Sequence, residues 1–296
     1  MSPTGYGLGH ENERIERMEP VPSDYDHSDK IGNEGDVVKH AVLCRLVEAL
    51  LDQSPTGQFV YAESHTGRAV YVLPERGRWV HGIKPFSENL LDLEALDARP
   101  CLSQKRTNLN AYRRACFPKK ARTGNKYYGS SGMVRHMLRE ARVPFQFRLW
   151  DSNPDVVKSL VEHYGDSPNI AVEHGDGYRG LQSLRTASLV LIDPISVQDD
   201  HANILASMSH LDKCGIPFLC WVPLFGEDDP IYDQFERVAK ETFATVRVTW
   251  QVREGSTWGC QVTVTQGYGT LLEQTCQEVC EVMNARPWKV RITQDV

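Results

Sequence analysis

Four carboxylates stand where apolar runs of this chain end: Glu63 in ESHTG, Asp151 in DSNP, Asp176 in GDGY and Asp193 in IDPIS. An ionised carboxyl group only accepts hydrogen bonds and can take two at once, so each is suited to a pair of donors. Gly67, just after Glu63, lets backbone approach a ligand closely. Asp151 is placed to hold both hydroxyls of a ribose. Asp176, ahead of Gly177, is placed to accept the exocyclic amino hydrogens of an adenine. Together these point to a nucleoside-bearing cofactor. Each acid alone has a plainer use, because Asp at a strand end commonly caps a helix or closes a turn. A nicotinamide cofactor is disfavoured: Arg68-Ala69-Val70 follows Gly67 where a pyrophosphate turn needs further glycines. S-adenosylmethionine (SAM), which carries no phosphate, fits better.

The elements that must position these residues can be read from periodicity. Gln58–Glu63, Phe145–Asp151, Asn169–Asp176, Ser188–Pro194 and Pro217–Pro223 read as apolar strands. Helical segments are predicted over Pro154–Tyr164, briefly after Asp176, over His201–Leu211 and within the stretch that opens GEDDPIYD. From Asp36, VVKHAVLCRLVEALL has helical spacing, with Asp36 near its N-terminus. Thr245–Val252 and Cys260–Gln266 alternate at period two and are expected to pair antiparallel at the sheet edge, joined by a loop holding Gly255 and Gly259. Strand–helix alternation with apolar strands implies an α/β fold, a doubly wound, Rossmann-like parallel sheet. Such sheets bind ligands at the carboxyl ends of their strands.

The chain has 296 residues, 41% of them apolar, enough for one large domain with its own core. A formal charge of −6 gives no global sign of a nucleic-acid binder. Locally the balance differs. Arg99, Lys105, Arg106, Arg113, Arg114, Lys119, Lys120, Arg122 and Lys126 crowd the 98–126 stretch with no acid among them. They could grip RNA phosphates or form a solvated helical face. Residues 1–36 are acidic and rich in Gly, Ser and Pro, and are read as an N-terminal arm or lid; residues 37–296 are the cofactor-binding domain. With no apolar leader or membrane-length run, a cytoplasmic protein that avoids membranes is expected. The eight cysteines are scattered, so neither disulfides nor a metal site is expected.

YDHSDKIGNEGDVVKH (25–40), ESHTG (63–67), YYGSSG (127–132), DSNP (151–154), GDGY (175–178), IDP (192–194) and WVP (221–223) carry a resemblance. The chain resembles the large-subunit rRNA adenine methyltransferase J family, class I SAM-dependent enzymes that methylate an adenine amino group. The likeness runs from about Tyr25 to Gln266. It implies a class I methyltransferase sheet with a helical insertion after the first strand, here the basic segment at about 72–127. It implies Lys39 against the SAM carboxylate, and a cofactor pocket lined by Lys39, His40, Glu63, His65, Gly67, Ser130, Asp151, Ser152, Asp176 and Gly177. Tyr25 and His27 would lie on the substrate side. Where the family has Asp-Pro-Pro-Tyr, this chain has Asp193-Pro194-Ile195-Ser196. An adenine amino group is a poor nucleophile, and the Asp side chain and first Pro carbonyl accept its hydrogens while the aromatic stacks on the flipped base. The accepting half is kept. The stacking half, worth about 1–3 kcal/mol per base, is replaced.

The preferred reading is therefore a SAM-dependent enzyme acting on the amine of a small or amino-acid-like molecule, in specialised metabolism. Asp193, the Pro194 carbonyl, Ser196, Tyr25 and His27 are the catalytic candidates. Three alternatives stay open: cyclisation of SAM alone to azetidine-2-carboxylate with release of methylthioadenosine, methylation of an rRNA adenine, and an inactive SAM-binding homologue. Lys39 as a plain surface residue and Asp193 as a turn cap are the bland counterparts of the two central assignments.

Overall fold

A computed structural model describes residues 26–53, 57–96, 109–116, 126–225, 230–253, 256–284 and 292–295. Its main sheet is built from β1 (Phe59–Glu63), β4 (Phe145–Asp151), β5 (Ile170–His174), β6 (Leu189–Ile192), β7 (Phe218–Phe225), β8 (Ala244–Arg253), β9 (Ser256–Val264) and β10 (Ile292–Asp295). The strand order is β10-β8-β9-β7-β6-β1-β4-β5. Strands β7, β6, β1, β4 and β5 pair in parallel, and β9, β8 and β10 continue the sheet antiparallel. This is the doubly wound, Rossmann-like sheet anticipated from the strand–helix alternation.

β6 shows why the central strands are apolar throughout. Leu189 and Leu191 enter the core on one face, and Val190 and Ile192 enter the core on the other. The first face is covered by α1 (Glu34–Asp52), α4 (Ser130–Glu140), α5 (Pro154–Tyr164) and α9 (Gly269–Asn284), and the second by α6 (Gly177–Ser183), α7 (Val197–Lys213) and α8 (Pro230–Lys240). A strand buried on both faces has no polar side to alternate with. The order reverses at β1, which lies between β4 and β6. The crevice beyond the carboxyl ends of β1 and β6 is therefore where a ligand belongs, and Glu63 and Asp193 stand there.

Several expectations need correcting. The antiparallel pair does not end the sheet, because β10 pairs outside β8, Trp250 opposite Ile292. Gly259 is not in a connecting loop but within β9, which starts at Ser256, and Gly255 lies outside the described residues. The strand at WVP runs on to Phe225 because β9 continues to pair with it, Phe225 opposite Trp258. The first helix begins before Asp36. Asn33 caps α1 by accepting the Asp36 N–H at 2.9 Å, so the helix starts at Glu34, and His27–Asp29 form a 3-10 turn ahead of it.

Short strands β2 (Val70–Val72) and β3 (Lys126–Tyr128) pair antiparallel and hold together the two ends of the basic segment. Between them, α2 (Ile83–Leu96) and α3 (Asn110–Cys116) bury Phe86, Leu90 and Tyr112 in the same core as α1. Most cations of that segment lie outside the described residues. Of the three within them, Arg114 pairs with Glu48 at 3.1 Å and Lys126 is exposed. The seven described cysteines are free thiols. Among the described residues no helix is long and apolar enough to cross a membrane.

Candidate active site

The N-terminus of α1 points its first two turns at the end of β6. Lys39, 5% exposed, sets its Nζ 2.7 Å from Asp193 Oδ2 and 3.1 Å from Asp36 Oδ1. It also lies over the Trp221 ring, 5.0 Å from the centroid, a favourable cation–π distance. Trp221 reaches this place through strand register: Cys220 pairs with Ile192, so the next residues, Trp221 and Asp193, stand side by side at the crevice. Burial works against the Lys39 charge, but the carboxylates of Asp193 and Asp36 outweigh it and hold the ammonium well above its ordinary range. Lys39 is thus no surface residue, and Asp193 spends one oxygen on an ion pair rather than capping the next helix. Burial raises the Asp193 carboxyl above the usual carboxylate range, and Lys39 opposes that rise.

Asp36, which the sequence presents as a helix-start acid, joins this cluster. It is 1% exposed. Its Oδ2 accepts the Gly32 N–H at 2.7 Å and lies 2.9 Å from His27 Nε2. Burial opposes its charge, yet His27 and Lys39 keep the carboxyl well below the usual range. The available signal was its i, i+3 spacing to Lys39. His27 packs edge-on to Tyr71, and the neighbouring Asp26 accepts from both Arg68 Nε, at 2.9 Å, and Arg68 Nη2, at 2.6 Å.

The loop after β1 supplies the second half. Gly67 adopts φ +63°, a conformation that favours glycine, and its N–H donates to Asp151 Oδ2 at 2.9 Å. Asp151 Oδ1 accepts the Asn153 N–H at 2.9 Å. Two backbone bonds fix this carboxylate and leave each oxygen a further lone pair. Burial raises its pKa, while those bonds resist. Glu63 is fully buried, accepting from Tyr61 at 3.0 Å and from Ser130, the first residue of α4. Burial lifts its carboxyl well above the ordinary range.

Other candidates take different places. His40 turns away from the crevice: it is 2% exposed and its Nδ1 lies 2.8 Å from the Tyr127 hydroxyl. Burial lowers its pKa to about 3, keeping it neutral. His65 lies 2.7 Å from Ser64 Oγ and edge-on to Tyr178, and burial lowers it to about 4. Asp176 caps α6 through the Tyr178 N–H at 2.9 Å and is otherwise exposed. Gly177 is buried where a Cβ would sit 1.8 Å from the Ser64 carbonyl oxygen, so only glycine lets α6 approach the β1 loop. Ser152 is exposed; its carbonyl oxygen accepts from His174 at 2.9 Å. Ser196 stands at the N-cap of α7 without a side-chain capping bond, while Pro194 is buried and Ile195 partly so. Tyr25 lies outside the described residues.

The donor set suits SAM. Asp151 keeps two lone pairs for two ribose hydroxyls, and Asp176 keeps Oδ2 for an amino hydrogen. Lys39 donates one proton to Asp193 and keeps Asp36 as an ion-pair partner at 3.1 Å, which leaves donor capacity for a carboxylate.

Comparisons with known proteins bear on the fold. Over 208 residues, 68% of this chain and 70% of the relative, the sequence is 25% identical to the ribosomal RNA large subunit methyltransferase J of Escherichia coli (strain K12). The crystal structure of protein LPL1258 from Legionella pneumophila str. Philadelphia 1, of family model DUF519, superposes with a TM-score of 0.68 at 20% identity. It covers 90% of this chain and 97% of that one. No family model matches the sequence. The sheet order and these likenesses agree on the fold: a doubly wound, Rossmann-like sheet of the class I methyltransferase type.

Proposed function

We propose that this chain is a SAM-dependent N-methyltransferase whose acceptor is the amino group of a small molecule. The observation that carries this is the Lys39–Asp193 ion pair at the head of the crevice, 2.7 Å long, with Lys39 buried and Asp193 still 14% exposed. It uses Asp193 Oδ2 and leaves Oδ1 to accept an amino hydrogen. Asp151 and Gly67 would hold the ribose, Asp176 the adenine, and a remaining proton of Lys39 the methionyl carboxylate. When bound, SAM supplies an electrophilic methyl on its sulfonium.

The residues then act by position and by proton acceptance. Asp193 Oδ1 and the Pro194 carbonyl would accept the two amino hydrogens and turn the nitrogen lone pair toward the methyl carbon. As the N–C bond forms and the C–S bond breaks, the amine becomes an ammonium, and one of its protons passes to Asp193 or on to solvent. A carboxyl raised by burial is a better acceptor of that proton than an exposed one. Lys39 keeps it from becoming a permanent acid.

Ile195 and Ser196 occupy the positions that would offer a stacking ring, and this supports a small acceptor over a flipped base. The second reading, an rRNA adenine, is favoured by the likeness to the E. coli enzyme. A labelled-methyl experiment separates them. Protein incubated with methyl-tritiated SAM and extract from a deletion strain is expected to put label into a fraction below about 1 kDa. Label that sediments with ribosomal RNA and is lost to ribonuclease would establish the second reading instead.

A further inference from the structure

The candidate catalytic acid and the first described segment of the chain are joined by an unbroken line of polar contacts. Asp193 Oδ2 meets Lys39 Nζ at 2.7 Å, Lys39 Nζ meets Asp36 Oδ1 at 3.1 Å, and Asp36 Oδ2 meets His27 Nε2 at 2.9 Å. The line is buried at its centre and opens at His27, whose side chain is 20% exposed. Asp36 also accepts the Gly32 N–H at 2.7 Å, which fixes the turn entering α1. Alongside, Asp26 holds Arg68 from the β1 loop, two residues before β2. Residues 26–32 are thus tied to the acid that would accept the amine and to the loop whose Gly67 supports Asp151.

We infer that Asp36 is a positioning residue: through Lys39 it fixes Asp193, and through His27 it makes the seating of residues 26–32 and the orientation of Asp193 one event. The physical ground is the ammonium at the centre of the line. A buried ammonium hydrogen-bonded to one carboxylate and ion-paired with a second is held by both charges, so loss of either carboxylate shifts it toward the other. Asp193 alone would leave the ammonium free to swing towards Trp221. Asp36 alone would leave Asp193 buried and uncompensated, which is strongly unfavourable. Each acid therefore depends on the other although they stand on different elements.

The role of the acid in methyl transfer rests on the function proposed above, but the coupling is testable without turnover. Backbone hydrogen exchange over residues 26–32 is the readout. Asp193→Asn, 161 residues away in sequence at its nearest, is expected to speed exchange of the Gly32 amide about tenfold. Lys39→Met should do the same, and Ser196→Ala, a neighbour of Asp193 outside the line, should leave it unchanged. Equal exchange in wild type and Asp193→Asn, with both equally folded by circular dichroism, would overturn the coupling whatever the reaction proves to be.

Turnover adds a second arm. His27→Ala should lower kcat about tenfold with the SAM dissociation constant held within about threefold. His27→Gln, which keeps a side-chain N–H, should restore most of it. A His27→Ala effect confined to KM, or not relieved by Gln, would show that His27 serves only to fill space. Absence of methyl transfer in wild type would count against the proposed function and leave the exchange result standing.

Discussion

At the residue scale the account turns on Asp193. Asp193→Asn keeps the shape and removes the charge that Lys39 balances. Removing a positioned proton acceptor typically costs about 10²–10⁴-fold in rate, and a loss of that size in kcat is expected with SAM still bound on calorimetry. A variant within about threefold of wild type would place the proton elsewhere. Asp151→Asn tests the other half of the crevice. Its oxygens are fixed by the Gly67 and Asn153 N–H groups, so an amide there must turn an NH2 toward one of them. SAM affinity measured by titration should fall at least tenfold while kcat at saturation changes little. The acids themselves were legible in the sequence because each ends an apolar run. The partner of Lys39 was not: Asp36 reads as an ordinary helix-start acid until Gly32, His27 and Lys39 are folded around it.

At the element scale, β4 and α5 form over the very residues anticipated, Phe145–Asp151 and Pro154–Tyr164. Local chemistry is sufficient there: an apolar run ends at an acid, Asn153 caps through the Asp155 N–H at 2.8 Å, and Pro154 opens the helix. β2, β3 and β10 escaped notice because they are three or four residues long and exist only by pairing with distant chain. α9 had a readable apolar stripe, Leu272, Cys276, Val279 and Met283, which its cysteines drew attention away from. The contact between α6 and the β1 loop is an element-scale feature with a sharp consequence. Gly177→Ala must push α6 back from Ser64. Overpacking of this kind costs about 1–3 kcal/mol. Urea denaturation should show that loss, with SAM affinity falling too; an unchanged midpoint would mean the helix start moves freely.

At the scale of the whole molecule, the sheet presents its switch point to solvent while burying charge around it, and this makes stability depend on pH. His40 has an ordinary pKa of 6.5 and is held at about 3 in the fold. The unfolded chain therefore binds one more proton than the folded chain between those values. The stability His40 contributes is full above 6.5 and is lost as pH falls toward 3. Relative to His40→Gln, wild type should lose about 2 kcal/mol between pH 7.5 and pH 5, at about 1.36 kcal/mol per pH unit below 6.5. Glu63 acts with opposite sign: its raised pKa favours the folded form less as pH rises above 4.5, which is why the comparison with a single variant is the informative one. A wild-type-minus-variant stability that does not vary with pH would mean His40 is solvated.

The central claim, that an amine meets the methyl of SAM at Asp193, is met most directly by mass spectrometry of the products. Wild type and Asp193→Asn are incubated with SAM, with and without a panel of small primary amines. S-adenosylhomocysteine and a methylated amine are expected only when an amine is present, with the variant at least about a hundredfold slower. Methylthioadenosine formed from SAM alone faster than in a control without protein, or equal product from wild type and variant, would contradict it.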